Sequence, residues 1–142
     1  MARAGLVLAV VLLILCGAIV VVAAGQDLRA RDSSVEALAR GYFAALQRGD
    51  LDAALLAIQP PARASSATFV ANLLGNEYRV QGVAVHEPAL LDRLRGVPAG
   101  PQDVTVFIDI TEAASGVRWQ AGPKVLVVEE GGRPYLARAP LS

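Results

Sequence analysis

The sequence contains very few of the residues that most enzymes use for chemistry. Its 142 residues include one histidine and one cysteine, and aromatic residues make up 5% of the chain. Because the single cysteine, Cys16, lies inside an apolar run, neither an intramolecular disulfide nor a cysteine-ligated metal cluster can form. Motifs of phosphate-binding loops, zinc proteases, α/β-hydrolases and paired-cysteine metal sites do not occur. These absences predict no metal site and no cofactor, and they favour a non-catalytic function.

The charges are too balanced to indicate a nucleic-acid partner. Thirteen Lys and Arg residues are matched by thirteen Asp and Glu residues, which gives a formal net charge of zero. Surfaces that bind nucleic acid instead concentrate positive charge on one face of the domain. We therefore expect no nucleic-acid partner.

One long uncharged stretch lies at the N-terminus. Residues 4–25 contain no charged side chain, and as a helix they would be about 33 Å long, enough for a hydrocarbon layer of roughly 30 Å. Residues 1–25 are therefore predicted to be a transmembrane anchor or an uncleaved signal segment, with residues 26–32 as a short linker. This predicts a single-pass protein of the cell membrane, with the membrane as a partner.

Cleavage and orientation of this segment each have two interpretations. Residues 22–24 resemble a small-residue cleavage site, but the apolar run is longer than that of a cleaved signal, which favours retention. Arg29 and Arg31 follow the run and favour an inward-facing domain. The likeness to a signal anchor favours an extracytoplasmic domain, and this is the orientation that we predict.

Helical periodicity predicts three helices after residue 32. Six apolar residues recur at helical spacing behind a capping-box pair, Ser33 and Glu36, so the first helix is expected to begin at Ser33. The six residues are Val35, Leu38, Ala39, Tyr42, Phe43 and Leu46. Their common stripe is predicted to face the core.

The next residues predict where the helices end. Gly49 is expected to end the first helix in the left-handed conformation, and Asp50 is expected to cap the second. Pro60 and Pro61 are expected to stop the second helix. The third helix is then predicted over residues 66–74.

From residue 77 the apolar spacing changes to two, which predicts strands. Tyr78 and Val80 alternate on one parity, whereas Val83 and Val85 alternate on the other. Gly82 is therefore expected to be a β-bulge that restores the buried face.

Further strands complete an antiparallel sheet. They are predicted over residues 103–111, over residues 117–128 with a bend at residues 122–123, and over residues 134–139 after a turn at residues 131–132. Helices followed by such a meander predict an α+β fold, in which three helices pack on one face of a curved antiparallel sheet.

This region resembles nuclear transport factor 2-like domains. The segment GYFAALQRGDLDAALLAI places Tyr42 and Phe43 in a first helix and Gly49-Asp50 at the start of a second, and the chain ends in VTVFIDI, VRWQ and KVLVVEEGGRPYLA. The resemblance covers residues 33 to about 140 and extends to SnoaL-like and related exported bacterial modules. It implies that residues 33–142 form a cone-shaped domain whose open mouth is able to hold a ligand, and often a homodimer through the sheet.

A few aromatic residues are candidates for binding. Tyr78 and Trp119 are predicted to line a pocket for a small apolar ligand, because aromatic rings supply apolar walls with one polar handle. The alternative is that they fill the core. Phe107, with Thr105 and Thr111, is expected to form an outward patch for a partner, against the alternative of a solvated sheet face.

His86 is the one residue whose ordinary chemistry suits acid–base catalysis near neutral pH. Asp92, Asp109 and Glu112 are conceivable partners for it. A histidine at a strand end is more simply a solvated edge residue, so no catalytic residue is predicted.

The sequence therefore predicts a membrane-tethered, non-catalytic module that binds a small ligand or an envelope protein. The alternatives are a SnoaL-like isomerase or hydratase with an acid–base site inside the cone, and a domain that assembles through its sheet. A filled apolar interior would favour assembly, and an open interior with polar groups would favour ligand binding. A deep histidine or carboxylate would favour an enzyme.

Overall fold

Three helices precede an antiparallel sheet in the computed structural model, which describes residues 2–86 and 100–141. Side chains of the first helix are described from residue 12, with gaps between residues 21 and 31. The helices are α1 (Ala2–Arg48), α2 (Leu51–Leu56) and α3 (Pro60–Asn72). The strands are β1 (Glu77–His86), β2 (Gln102–Thr111), β3 (Arg118–Ala121), β4 (Lys124–Glu130) and β5 (Arg133–Leu136). The chain divides into two compact units, Met1–Ser33 and Ser34–Ser142.

The membrane anchor predicted over residues 1–25 is wrong. No helix in the described part of the chain combines the length and the apolar character that crossing a bilayer requires. A spanning helix needs about 20 consecutive apolar residues, and no described helix meets this requirement. The predicted transmembrane helix, signal anchor and single-pass cell-membrane location are corrected together. The extracytoplasmic location was predicted from this anchor and therefore has no support.

The start predicted for the first helix is also wrong. α1 is continuous from Ala2 to Arg48, so residues 26–32, predicted as a linker, are helical and Ser33 lies inside the helix. A serine acts as an N-cap only where the backbone before it leaves helical geometry. Residues 26–33 contain neither Gly nor Pro, so nothing in them breaks the helix.

The apolar stripe predicted on the C-terminal part of α1 is confirmed. Leu38 is half-buried, and the other five residues are at most 3% exposed. They join the buried residues of the sheet in one hydrophobic cluster. Because full burial of a large apolar side chain stabilises a fold by roughly 1.5–3 kcal/mol, this stripe accounts for much of the packing between α1 and the sheet.

The helix ends match the prediction at one connection and differ at the next. Gly49 ends α1 with φ of +71°, and the Asp50 Oδ1 atom accepts a hydrogen bond from the backbone N–H of Ala53 at 3.0 Å. Pro60 and Pro61 were predicted to stop α2, but they form the first turn of α3. The first N–H groups of a helix have no partner within it, so proline is tolerated at this position.

The α+β class is confirmed, with a curled antiparallel sheet whose strand order is β1-β2-β4-β5. The bulge predicted at Gly82 is confirmed as well, because the register between β1 and β2 shifts between Val80 and Gly82. Val80 lies opposite Ile108, and Val83 lies opposite Val106. The bulge therefore returns the second half of β1 to the buried face.

The predicted bend and the last hairpin are also found. β3 and β4 both pair with β2 and are separated by Gly122 and Pro123. Gly131 and Gly132 connect β4 to β5 with φ of +60° and +75°, the left-handed conformation that two-residue hairpin turns of type I′ require.

Two edge strands of the sheet, β5 and β1, are partly covered. On β5, the Leu136 N–H donates to the Ala57 carbonyl oxygen at 2.8 Å, and the Leu136 carbonyl oxygen accepts from the Gln59 N–H at 2.9 Å. On β1, the side chains of Arg40 and Gln47 bind backbone groups of the strand. Such cover limits the pairing of an edge strand with another chain.

Candidate functional site

The inner face of the sheet is packed with apolar side chains. Val104, Val106, Ile108 and Ile110 of β2 are each 1% exposed. Among the described residues, Ser66 is the one buried side chain outside the apolar and aromatic classes. This part of the interior therefore presents no acid–base group to a ligand.

Tyr78, predicted to line a pocket, is mainly a core residue. It is 7% exposed, and its ring centroid lies 5.5 Å from that of Phe43. Its hydroxyl donates to the Leu73 carbonyl oxygen at 2.5 Å and accepts from the Asn76 side chain at 3.4 Å. Burial raises the pKa of this hydroxyl, and the bond from Asn76 acts in the opposite direction. The polar handle is thus used within the fold.

Trp119, the second predicted pocket residue, lies apart from Tyr78. It is 42% exposed on β3 and pairs with Ile110, which pairs on its other side with Tyr78. Two strand spacings separate the aromatic residues, or about 10 Å. The structure therefore does not bring them together in one pocket.

Tyr78 does contribute to a groove between α1 and β1. The groove has a volume of about 280 Å³ and is lined on the helix side by Arg40, Ala44, Gln47 and Arg48. These α1 residues were not predicted as site residues. Their helical spacing next to the buried stripe could have indicated that they share one side of the helix. It could not indicate that the edge of β1 lies opposite them.

Side-chain hydrogen bonds shape this groove. Arg40 donates from Nε to the Glu36 carboxylate at 2.8 Å and from a terminal nitrogen to the Val80 carbonyl oxygen at 3.1 Å. The Gln47 Oε1 atom accepts from the Tyr78 backbone N–H at 3.2 Å. Two polar groups of α1 are therefore fixed against the edge of β1.

The outer face of the sheet carries an exposed aromatic residue at its centre. Phe107 is 50% exposed, as expected for an outward position. It lies opposite Gly82 on β1, and a Cβ atom placed on Gly122 would be 3.9 Å from its ring. Because neither glycine has a side chain, no side chain from these two positions covers the Phe107 ring. Leu126, at 36% exposed, adds apolar surface on β4.

His86 also belongs to the outer face. It is exposed, and its Nε2 atom lies 3.1 Å from the Thr105 hydroxyl oxygen. Of the partners considered for it, Asp109 binds the Gln81 side chain and Glu112 binds the Ser115 hydroxyl. The third candidate, Asp92, lies outside the described residues.

The described residues contain no cluster of three or more His, Cys, Asp or Glu side chains that could hold a metal ion.

No protein family model matches this sequence, and no curated protein matches it. The resemblance to nuclear transport factor 2-like domains therefore stays a prediction.

Proposed function

We propose that this chain is a non-catalytic interaction module that binds another folded protein through the outer face of its sheet. The observation that carries the proposal is Phe107, a large apolar side chain left half-exposed at the centre of that face. Exposed aromatic residues of this kind are typical of the centres of protein interfaces. The packed inner face gives further support, since it leaves the outer face as the available surface of β2.

The acid–base alternative has less support. An isomerase or hydratase of the SnoaL-like kind needs a titratable group inside the domain. Among the residues whose side chains the structure describes, the buried positions hold neither a histidine nor a carboxylate. His86 is exposed on the opposite face of the sheet, where it contacts Thr105.

A second copy of the chain is a candidate occupant of the outer face, because the charges there are self-complementary. The register places charges of both signs on it, among them Arg79, Arg118, Lys124, Glu77, Asp103 and Asp109. A twofold axis brings the same patch of both copies together, so a face with both signs can pair with itself. Self-assembly through the sheet is therefore the second candidate function.

Site-specific photocrosslinking tests both forms of the proposal. A benzoylphenylalanine at position 107 should form intermolecular crosslinks, and the same group at Leu56 should form few. Leu56 is a suitable control because it is an equally exposed apolar residue, at 55%, on α2. A crosslinked product of twice the chain mass would identify self-assembly, and a discrete heavier product in cells would identify another partner.

The substitution Phe107→Asp, which introduces a negative charge, completes the test. It should abolish the product crosslinked from a neighbouring outer position such as Leu126, while the domain stays folded. Equal crosslinking from positions 107 and 56 would contradict the proposal. Sedimentation velocity over a range of concentrations would then report whether any self-association remains.

A further inference from the structure

The groove between α1 and β1 is not part of the outer sheet face and has no role in the interaction proposed above. Its helix wall follows the row Arg40, Ala44 and Arg48, which are spaced four residues apart. Residues at this spacing lie above one another on a helix. A short alanine between two long arginines therefore leaves a gap along the row.

The floor of the groove is apolar. Phe43 and Tyr78 form its base, where their rings pack with centroids 5.5 Å apart, and Val80 extends it along β1. The Ala44 methyl group is exposed at its wall. A ligand in the groove would thus meet apolar surface at the floor and polar side chains at the rim.

The polar side chains that line the groove differ in whether they already form hydrogen bonds with the protein. The Arg40 guanidinium binds both the Glu36 carboxylate and the Val80 carbonyl oxygen, and Gln47 accepts from the Tyr78 N–H. Arg48 makes no hydrogen bond or ion pair with the described residues, and no carboxylate lines the groove. One cation is therefore available for an anionic ligand.

We propose that this groove binds a small carboxylate with an apolar body, whose carboxylate pairs with Arg48 and whose body lies over Ala44 and Tyr78. A guanidinium binds a carboxylate through two parallel hydrogen bonds, and the apolar floor favours an anion that carries an apolar body. The size is also suitable: a cavity of about 150 Å³ holds benzene, and the groove measures about 280 Å³. An aromatic ring with a short acidic arm fits that space.

Arg48 also has a purely structural role. It lies in the last turn of α1, where a cation interacts favourably with the helix dipole. That role requires only positive charge at the helix end. It needs neither an empty volume beside Ala44 nor an apolar floor, so binding measurements separate it from ligand recognition.

Phenylacetate is the probe for the full-length protein, and 2-phenylethanol is its neutral counterpart. Phenylacetate at millimolar concentration should shift the backbone amide resonances of Gln47, Arg48 and Tyr78, and 2-phenylethanol should shift them much less. Inorganic phosphate, which lacks an apolar body, should bind at least about tenfold more weakly than phenylacetate. Equal affinity for either comparison compound would overturn the assignment.

Two substitutions test separately the charge of Arg48 and the empty volume beside Ala44. Arg48→Gln should weaken phenylacetate binding by at least about tenfold, the scale of a lost charge-assisted hydrogen bond. Ala44→Leu should abolish binding while retaining every charge, because the larger side chain fills the gap. Both positions are exposed, so the variants should keep the wild-type fold, which amide spectra will verify.

Arg138→Gln is the matched control, because it removes one exposed arginine from a position that does not line this groove. It should change the affinity for phenylacetate less than about twofold, as expected when only long-range charge is altered. If Arg138→Gln weakens binding as much as Arg48→Gln does, net charge and not the groove governs the interaction. Unchanged binding in Ala44→Leu would overturn the proposal in the same way.

Discussion

The two faces of β2 present opposite environments to neighbouring residues. Ile108 is 1% exposed on the inner face, whereas Phe107 is 50% exposed on the outer face, although both are large and apolar. Hydrophobicity alone therefore does not determine which side of this strand is buried. The inner face is buried because α1 supplies a matching apolar stripe, and no described element supplies one for the outer face. This difference assigns stability to the inner face and leaves the outer face free for the interaction that we propose.

Truncating both residues is the most direct test of the difference between the two faces. Ile108→Ala should lower the free energy of unfolding by about 2–5 kcal/mol, because it removes packed atoms and leaves a cavity. Phe107→Ala should lower it by less than about 1 kcal/mol, since the ring is half in solvent. Chemical denaturation of the two variants provides the measurement. Similar losses would mean that the outer face also contributes to the core.

A second test uses alkaline pH on the inner side. Burial raises the pKa of the Tyr42 hydroxyl above its ordinary value of 10.0, and Tyr78 adds to this effect. Above pH 10 the unfolded chain loses this proton while the folded chain keeps it, so stability that is complete below pH 10 declines as the pH rises. The loss should approach about 1.4 kcal/mol per pH unit for this group.

The control for the alkaline test is Tyr42→Phe, which has no proton to lose at this position. Denaturation curves between pH 9 and pH 11.5, about the range in which unfolded tyrosine ionises, should show a smaller decline for the variant. Parallel declines would show that Tyr42 ionises as readily in the fold as in the unfolded chain.

The two inner tyrosines should respond differently to loss of the hydroxyl. Tyr78→Phe removes the bond to the Leu73 carbonyl oxygen and should cost about 1 kcal/mol. The buried Tyr42 hydroxyl has no hydrogen-bond partner within the described residues, so Tyr42→Phe should be neutral or stabilising by up to about 1 kcal/mol. Thermal unfolding at neutral pH compares them. A clear loss from Tyr42→Phe would reveal a partner for its hydroxyl.

The smallest effect is expected from His86→Ala on the outer face. The side chain is exposed and contacts one hydroxyl, on Thr105. The free energy of unfolding should change by less than about 0.5 kcal/mol, and phenylacetate binding should not change. A loss of phenylacetate binding in this variant would place His86 in a site that the fold does not indicate.

Local patterns in the sequence predicted most of the second unit. Asp50 was predicted as a cap, Gly82 as a bulge and residues 122–123 as a bend, because each has a stereochemical requirement that few residues meet. The start of α1 was predicted wrongly because Ser33 and Glu36 are favourable at the start of a helix but do not interrupt a helix that continues through them. Pro60 and Pro61 were misassigned because the same residue that stops one helix also favours the first turn of the next.

The candidate site was predictable only in part. Tyr78 does line a groove, but Trp119 does not, because the distance between them depends on which strands become neighbours. Arg48 had no signal of its own, since charged residues are common at the ends of helices. The outward position of Phe107 followed from strand alternation, which needs no knowledge of long-range contacts.

Gln81 gives β1 the character of two half-strands that are out of phase. It has no Cα partner on β2, and its side chain donates to the Asp109 carboxylate at 2.6 Å. One strand has an extra residue at this point, and the pairing is regular before and after it. Deleting Gln81 would remove the bulge and leave Val83 opposite Val106, whereas pairing Gln81 with β2 in regular register would exchange the faces of Val83, Ala84 and the residues after them up to the end of the strand. The bulge therefore specifies which side of the second half-strand is inside.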